Sequence, residues 1–293
     1  MKSLAKLLLL AIFLGTSQSR KRYRCTTKVP YFFTEHQISS KIAHQRIVGG
    51  EKVPSMIPWQ VSLMFEYFGK KYHYCGGIIL DEKTILTAAH CQVRIGELVL
   101  AGQVHLAGKT IEVDSVVKNP YKPYNDTTME NDVLILKLKE PLEFSDKIQP
   151  ACLPKKRFFP PTMKMDENGL LTKNGTICYA SGWGTKQFGG SSPISLQYAG
   201  IPLLSKRICK ILYSNITAIT RNMICAGAIG GGIDSCQGDS GGPLVCIHQD
   251  KPIITGVVSF GVGCGVAWYP GVYARVTSYL RWIKAQMEFS KYI

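Results

Sequence analysis

The chain has 293 residues, enough to bury a sizeable core in one large or two ordinary domains. With 45% hydrophobic and 19% charged residues it has the composition of a globular protein, which excludes a disordered tail or a membrane bundle. The net charge of +15 is uneven: Lys2 and Lys6 supply two, residues 20–46 a net six, and residues 47–293 the remaining seven. A nucleic-acid-binding domain would carry such an excess as a stripe beside a recognition motif, and with neither in the sequence no nucleic-acid partner is expected.

Residues 1–19 read as a signal peptide: Lys2 and Lys6 precede the apolar run Leu7 to Leu14, and small residues Ser17 and Ser19 follow. That run is too short to span roughly 30 Å of hydrocarbon, and no later segment is long and apolar enough, so no membrane span is expected. Residues 20–46 are polar and basic and read as a propeptide. Its run Arg20, Lys21, Arg22 and Arg24 is read as solvated, with a polyanion contact or a convertase site as alternatives.

The character changes at Ile47. Short β-rich runs broken by Gly, Pro and Asn follow: 60–64, 77–80, 84–88, 133–138, 244–248, 253–260 and 272–276. Many short strands with turn signals between them predict an all-β sandwich or barrel. Only the C-terminal end has a helical pattern, with Leu280, Ile283 and Met287 on one face and Thr277 or Ser278 as N-cap. Residues 155–173 read as a surface loop or a connector between two halves.

Export bears on the ten cysteines. In an oxidising compartment an even count implies bridges, without fixing their pairing, and the absence of any C-x-x-C weighs against a zinc ribbon or a thiol redox site. Glycosylation sequons at Asn125, Asn174 and Asn215 fit the same compartment.

Three segments carry reactive side chains. Thr87-Ala88-Ala89-His90-Cys91 sets a histidine at a strand end; Asn131-Asp132-Val133-Leu134 sets an acid before an apolar strand that would bury it; Gly238-Asp239-Ser240-Gly241-Gly242-Pro243 sets a serine among glycines. A serine hydroxyl needs an adjacent base to become a nucleophile at neutral pH. Histidine has a suitable pKa for that, and a buried aspartate can fix its tautomer.

Together with IVGG at 47–50, TAAHC at 87–91, DVLILKL at 132–138 and DSCQGDSGGP at 234–243, the chain resembles the trypsin/chymotrypsin family of serine proteases over essentially all of 47–293. The resemblance implies two six-stranded antiparallel β-barrels with the active site between them. It makes His90 the general base and acid, Asp132 its orienting partner and Ser240 the nucleophile, with the amides of Gly238 and Ser240 as the oxyanion hole. Cleavage after Arg46 would free the Ile47 amine to pair with Asp239. Asp234, Ser235, Ser259, Gly261 and Gly271 match the substrate-binding set, which implies cleavage after Arg or Lys.

The resemblance also implies the pairs Cys75–Cys91, Cys178–Cys246, Cys209–Cys225 and Cys236–Cys264, and a propeptide tether Cys25–Cys152. The expected partners are protein or peptide substrates, an activating trypsin-like protease and protein protease inhibitors. Two departures stand out. Phe260 replaces a usual tryptophan, and the loop after Glu97 lacks the further acids of a calcium loop, so no metal and no cofactor is expected. None of His36, His44, His73, His105 and His248 is assigned a role.

Overall fold

A computed structural model describes residues 25–33, 50–164 and 175–289. The signal segment, the Arg46–Ile47 bond and Asn174 lie outside these residues. After a short strand β1 (Glu51–Lys52), six strands form the first barrel: β2 (Gln60–Tyr67), β3 (Lys70–Ile79), β4 (Thr84–Thr87), β5 (Leu98–Ala101), β6 (Thr110–Val117) and β7 (Leu134–Leu138). Their order is β2-β3-β4-β7-β6-β5, closed by β2 against β5, and every pairing is antiparallel. Val61, Leu63, Ile79, Ile85, Val99, Leu134 and Leu136 fill the interior.

The second barrel uses β8 (Ile177–Gly182), β9 (Gln197–Leu204), β10 (Met223–Ala226), β11 (Pro243–His248), β12 (Lys251–Phe260) and β13 (Gly271–Arg275). Its order is β9-β10-β13-β12-β11-β8, and antiparallel pairing of β8 with β9 closes it. Strand β1 is added outside, antiparallel to β9. Closure leaves few open edges and gives each barrel its own core. A third apolar cluster, containing Trp59, Ile78, Tyr179, Trp183 and Val257, cements the two together.

The seven strands expected from sequence are all present, several of them longer, and the expected fold class holds. Strands β1, β5, β6, β8, β9 and β10 were not anticipated. Nor was helix α1 (Lys206–Leu212), whose N-cap Ser205 accepts a hydrogen bond from the Ile208 amide. The expected C-terminal helix is α2 (Leu280–Phe289). Its proposed caps Thr277 and Ser278 instead lie within the 3-10 turn Val276–Ser278, where Thr277 Oγ1 accepts from Arg275 Nε at 2.9 Å. No helix among the described residues is long and apolar enough to cross a membrane.

Candidate active site

Where the barrels meet, side chains larger than hydrogen are excluded. A β-carbon on Gly241 would lie 2.1 Å from Thr87 Oγ1 and 2.6 Å from the Gly76 carbonyl oxygen. The Gly76 amide donates to the Ser240 carbonyl at 2.7 Å. These contacts press the serine loop of the second barrel against the end of β4, just before the turn that carries His90.

His90 sits in a 3-10 turn, Ala89–Cys91, that ends in a left-handed Gln92 (φ 50°) and is locked to β3 by the Cys75–Cys91 disulfide. Its Nδ1 lies 2.6 Å from Asp132 Oδ2, and its amide donates to Oδ1 at 2.9 Å. Ser259 Oγ donates to Asp132 Oδ2 at 2.5 Å, so the carboxylate, 1% exposed, accepts three hydrogen bonds. Burial without such donors would be costly. With them the carboxylate is held in one orientation, and so is the imidazole.

Gly238 takes a left-handed backbone (φ 93°), and a β-carbon there would approach Gly184 Cα at 3.2 Å. The amides of Asp239, Gly241 and Gly242 are used within the protein, on Cys236, Val258 and Asp239 carbonyls. Those of Gly238 and Ser240 have no acceptor among the described residues. Two donors left in this way at the foot of a half-buried serine can receive a developing negative charge.

His73 takes part here, although no motif singles it out. Its Nε2 is 2.9 Å from the Gly238 carbonyl and its Nδ1 is 2.8 Å from Ser62 Oγ. Burial lowers its pKa to about 4, partly opposed by the Gly238 contact, so the ring is neutral near pH 7. A carbonyl can only accept, which puts the proton on Nε2 and makes Ser62 the donor to Nδ1. The ring thereby fixes the Gly238 peptide. The signal that could have found it is a histidine two residues before Cys75, in the strand that runs to the serine loop.

Asp234 and Asp239 are both buried. Asp239 accepts from Gly184 N at 2.8 Å and Cys236 N at 2.9 Å, and burial raises its pKa to about 6 against those two donors. Asp234 accepts from Ser235 N at 2.8 Å and Gly265 N at 3.3 Å. Burial raises its pKa to about 7, opposed by amides of Gly265, Ser235 and Gly271 and reinforced by the Asp239 charge. Around it, a β-carbon on Gly271 would fall 2.6 Å from Asp234 Oδ1, while one on Gly261 would lie 3.9 Å from Oδ2. Ser235 Oγ contacts Tyr273 OH at 3.1 Å, and Phe260 meets Tyr213 edge-on at 6.1 Å.

All five anticipated cysteine pairs are joined, Cys25–Cys152 and Cys75–Cys91 along with Cys178–Cys246, Cys209–Cys225 and Cys236–Cys264. Cys75, His90 and Cys91 converge as metal ligands would, but the two sulfurs are bonded to each other and offer no thiolate. Asn125 and Asn215 are exposed on loops.

Comparison with known proteins matches the family described as Trypsin to residues 47–283. The chain is also 39% identical, over 246 residues, to the Gallus gallus protein Trypsin II-P29, an overlap of 82% of this chain and 88% of that one.

Proposed function

This chain belongs to the trypsin family of serine endopeptidases, and on that premise we propose that it cuts peptide bonds after Arg or Lys, through Ser240, His90 and Asp132, once it has itself been cleaved at Arg46–Ile47. The observation that carries the reading is the Asp132–His90 contact at 2.6 Å, held against the glycine-lined Ser240 loop.

The chemistry follows from the positions. Asp132 accepts a hydrogen bond from His90 Nδ1–H, which keeps the proton on Nδ1 and leaves Nε2 unprotonated and basic. His90 takes the Ser240 proton as Oγ attacks the carbonyl carbon, and the oxyanion is received by the Gly238 and Ser240 amides. His90 then protonates the leaving amine. Water repeats the sequence on the acyl-enzyme, with His90 again base and then acid.

Specificity rests on Asp234. An enclosed carboxylate favours Arg, bound through paired donors, or Lys, and disfavours an apolar side chain that would leave it unpaired. Gly261 and Gly271 leave room for a long side chain, Ser235 offers a further hydroxyl near Asp234, and Ser259 sits at the edge of the substrate site. Before cleavage Asp239 has no ammonium partner. The amine freed at Ile47 would neutralise it and stabilise the loop carrying Gly238 and Ser240.

The same reading divides the chain into a signal peptide at 1–19, a propeptide at 20–46 and a protease domain at 47–293. It makes the protein a secreted zymogen with a trypsin-like activator, inhibitor proteins as partners and glycans at Asn125, Asn174 and Asn215. The deciding experiment is labelling of the Arg46-cleaved protein with a serine-reactive phosphonate, followed by profiling on a peptide library. Cleavage after Arg and Lys with label on Ser240 is expected; failure to label, or a profile dominated by Phe, Tyr or Leu, would overturn it.

A further inference from the structure

Residues 25–33 precede the Arg46–Ile47 bond, yet they are not a loose leader. Phe32 and Phe33 are 2% and 1% exposed and belong to the cluster that joins the barrels. The Phe33 ring stacks on Tyr179 with centroids 4.2 Å apart and planes 7° apart, and the Tyr179 hydroxyl donates to the Phe33 carbonyl. Phe32 lies 4.7 Å from the Tyr198 ring. Two aromatic rings withdrawn from water hold a segment far better than its exposed Lys28–Asp146 ion pair can.

The partners of those rings lie in the path of activation. Tyr198 pairs in register with Glu51 of β1, and its hydroxyl donates to Glu51 Oε2 at 3.2 Å. Glu51 is the fourth residue after Ile47. Tyr179 lies on β8, and just beyond the end of that strand the Gly184 amide donates to Asp239. One pair of phenylalanines therefore packs both on the strand that receives the new N-terminal segment and on the strand that leads to the carboxylate.

We propose that residues 25–33 are a resident part of the mature enzyme, in which Phe32 and Phe33 are positioning residues that brace Tyr198 and Tyr179 so that β1 delivers the Ile47 amine to Asp239. The inference rests on the activation reading above. The propeptide thereby helps to hold the active form after the bond that made it a propeptide has been cut, and does so without needing its disulfide.

Two measurements test it. In a Cys25→Ser/Cys152→Ser protein cleaved at Arg46, the propeptide should still co-elute with the protease on size exclusion, and adding Phe32→Ala/Phe33→Ala should release it. Release from the parent with both phenylalanines present would overturn the proposal. In the disulfide-intact, cleaved enzyme, Phe33→Ala should move the alkaline loss of kcat/KM on a chromogenic arginine amide to lower pH. A ten-fold weaker docked form lowers that limb by about one unit. The acids near the docking site, Asp239 and Asp234, titrate at about 6 and 7, and His73, beside them on Gly238, at about 4, all below that range.

Should Phe33→Ala not fold, Phe33→Leu should give a smaller shift of the same sign. An unmoved limb in a folded variant would sink this inference alone, provided an uncleaved Arg46→Gln protein is inactive. If that uncleaved protein matched the cleaved wild type, the activation reading itself would fall.

Discussion

Gly76 and Gly242 belong to different barrels and face each other so closely that a β-carbon on Gly76 would stand 2.9 Å from Gly242 Cα. Backbone meets backbone at this point, one residue from Cys75 and two from Ser240. The placement of the serine thus depends on the absence of side chains around it as much as on the serine itself.

Gly241→Ala tests that dependence. The new methyl would meet Thr87 Oγ1 at 2.1 Å and the Gly76 carbonyl at 2.6 Å, on a residue whose φ is +78°. Overpacking and a strained backbone together should cost about 2–4 kcal/mol, read as a lowered Tm. Adding Thr87→Ala should restore little, because the Gly76 carbonyl remains in the way. Full recovery in the double variant would assign the strain to the threonine alone.

Ser240→Ala should abolish turnover while leaving folding near that of the parent. Asp132→Asn should lower kcat by about 10⁴-fold, because the amide cannot hold His90 in the same tautomer. Active-site titration alongside steady-state kinetics separates slow enzyme from absent enzyme; wild-type turnover by either purified variant would refute the assignment.

Binding of a cationic substrate should weaken in acid. On the proposed specificity the substrate's charge would pair with ionised Asp234, whose pKa burial raises to about 7 in the empty pocket, so that proton and substrate would compete for one carboxylate. KM for an arginine amide should therefore climb as pH falls through about 7, approaching ten-fold per unit below it. Asp234→Ser should lose both the Arg/Lys preference and this dependence. A KM flat between about pH 5 and 8 in the wild type would refute this competition, and an unchanged Arg/Lys preference in Asp234→Ser would refute the role of Asp234.

Arg46→Gln should give a folded protein with intact triad residues and kcat/KM lower by at least about 100-fold, the scale of a lost oxyanion donor. In cleaved wild type, pairing with Asp239 should raise the Ile47 amine above its ordinary range of about 7.7–8.0. The stabilisation of the active form is then complete below that ordinary value and disappears as pH rises through the raised one. Acetylating the amine after cleavage should mimic the uncleaved state at every pH.

The residues that carry chemistry were legible because each sits in a contiguous stretch whose composition serves that chemistry: glycines around Ser240, an apolar strand after Asp132. Strands whose apolar residues form unbroken buried runs, such as β7 with its Leu134-Ile135-Leu136, were legible too. Strands β8 and β9 were not. Gly200 and Pro202 look like strand breakers, yet Gly200 is needed where β9 passes Ile177 and Tyr179, with room for a β-carbon only at 3.2 and 3.4 Å. Barrel closure, a tertiary demand, overrode the local signal. Helix α1 is too short for a periodicity to register, and its Ser205 cap alone is too common a residue to announce a helix. His73 escaped notice because its partners, Ser62 and Gly238, are distant in sequence.

The cross-links divide the chain in a way that matters after damage. Cys25–Cys152 and Cys75–Cys91 lie wholly before Lys155-Lys156-Arg157, which is exposed between the barrels, and the other three bridges lie wholly after it. With all ten cysteines in these bridges, no covalent link spans that turn except the backbone. On the specificity proposed above, the enzyme carries its own recognition sequence there. One self-inflicted nick would leave two independently stapled halves, with the propeptide on the first. Only non-covalent contacts such as Ser181 Oγ to Gln60 Oε1, at 2.7 Å, would then keep histidine and serine in one molecule. The lifetime of the working enzyme would be set by the cohesion of that seam, and a nicked sample would fall into two pieces on a denaturing gel with no reductant added.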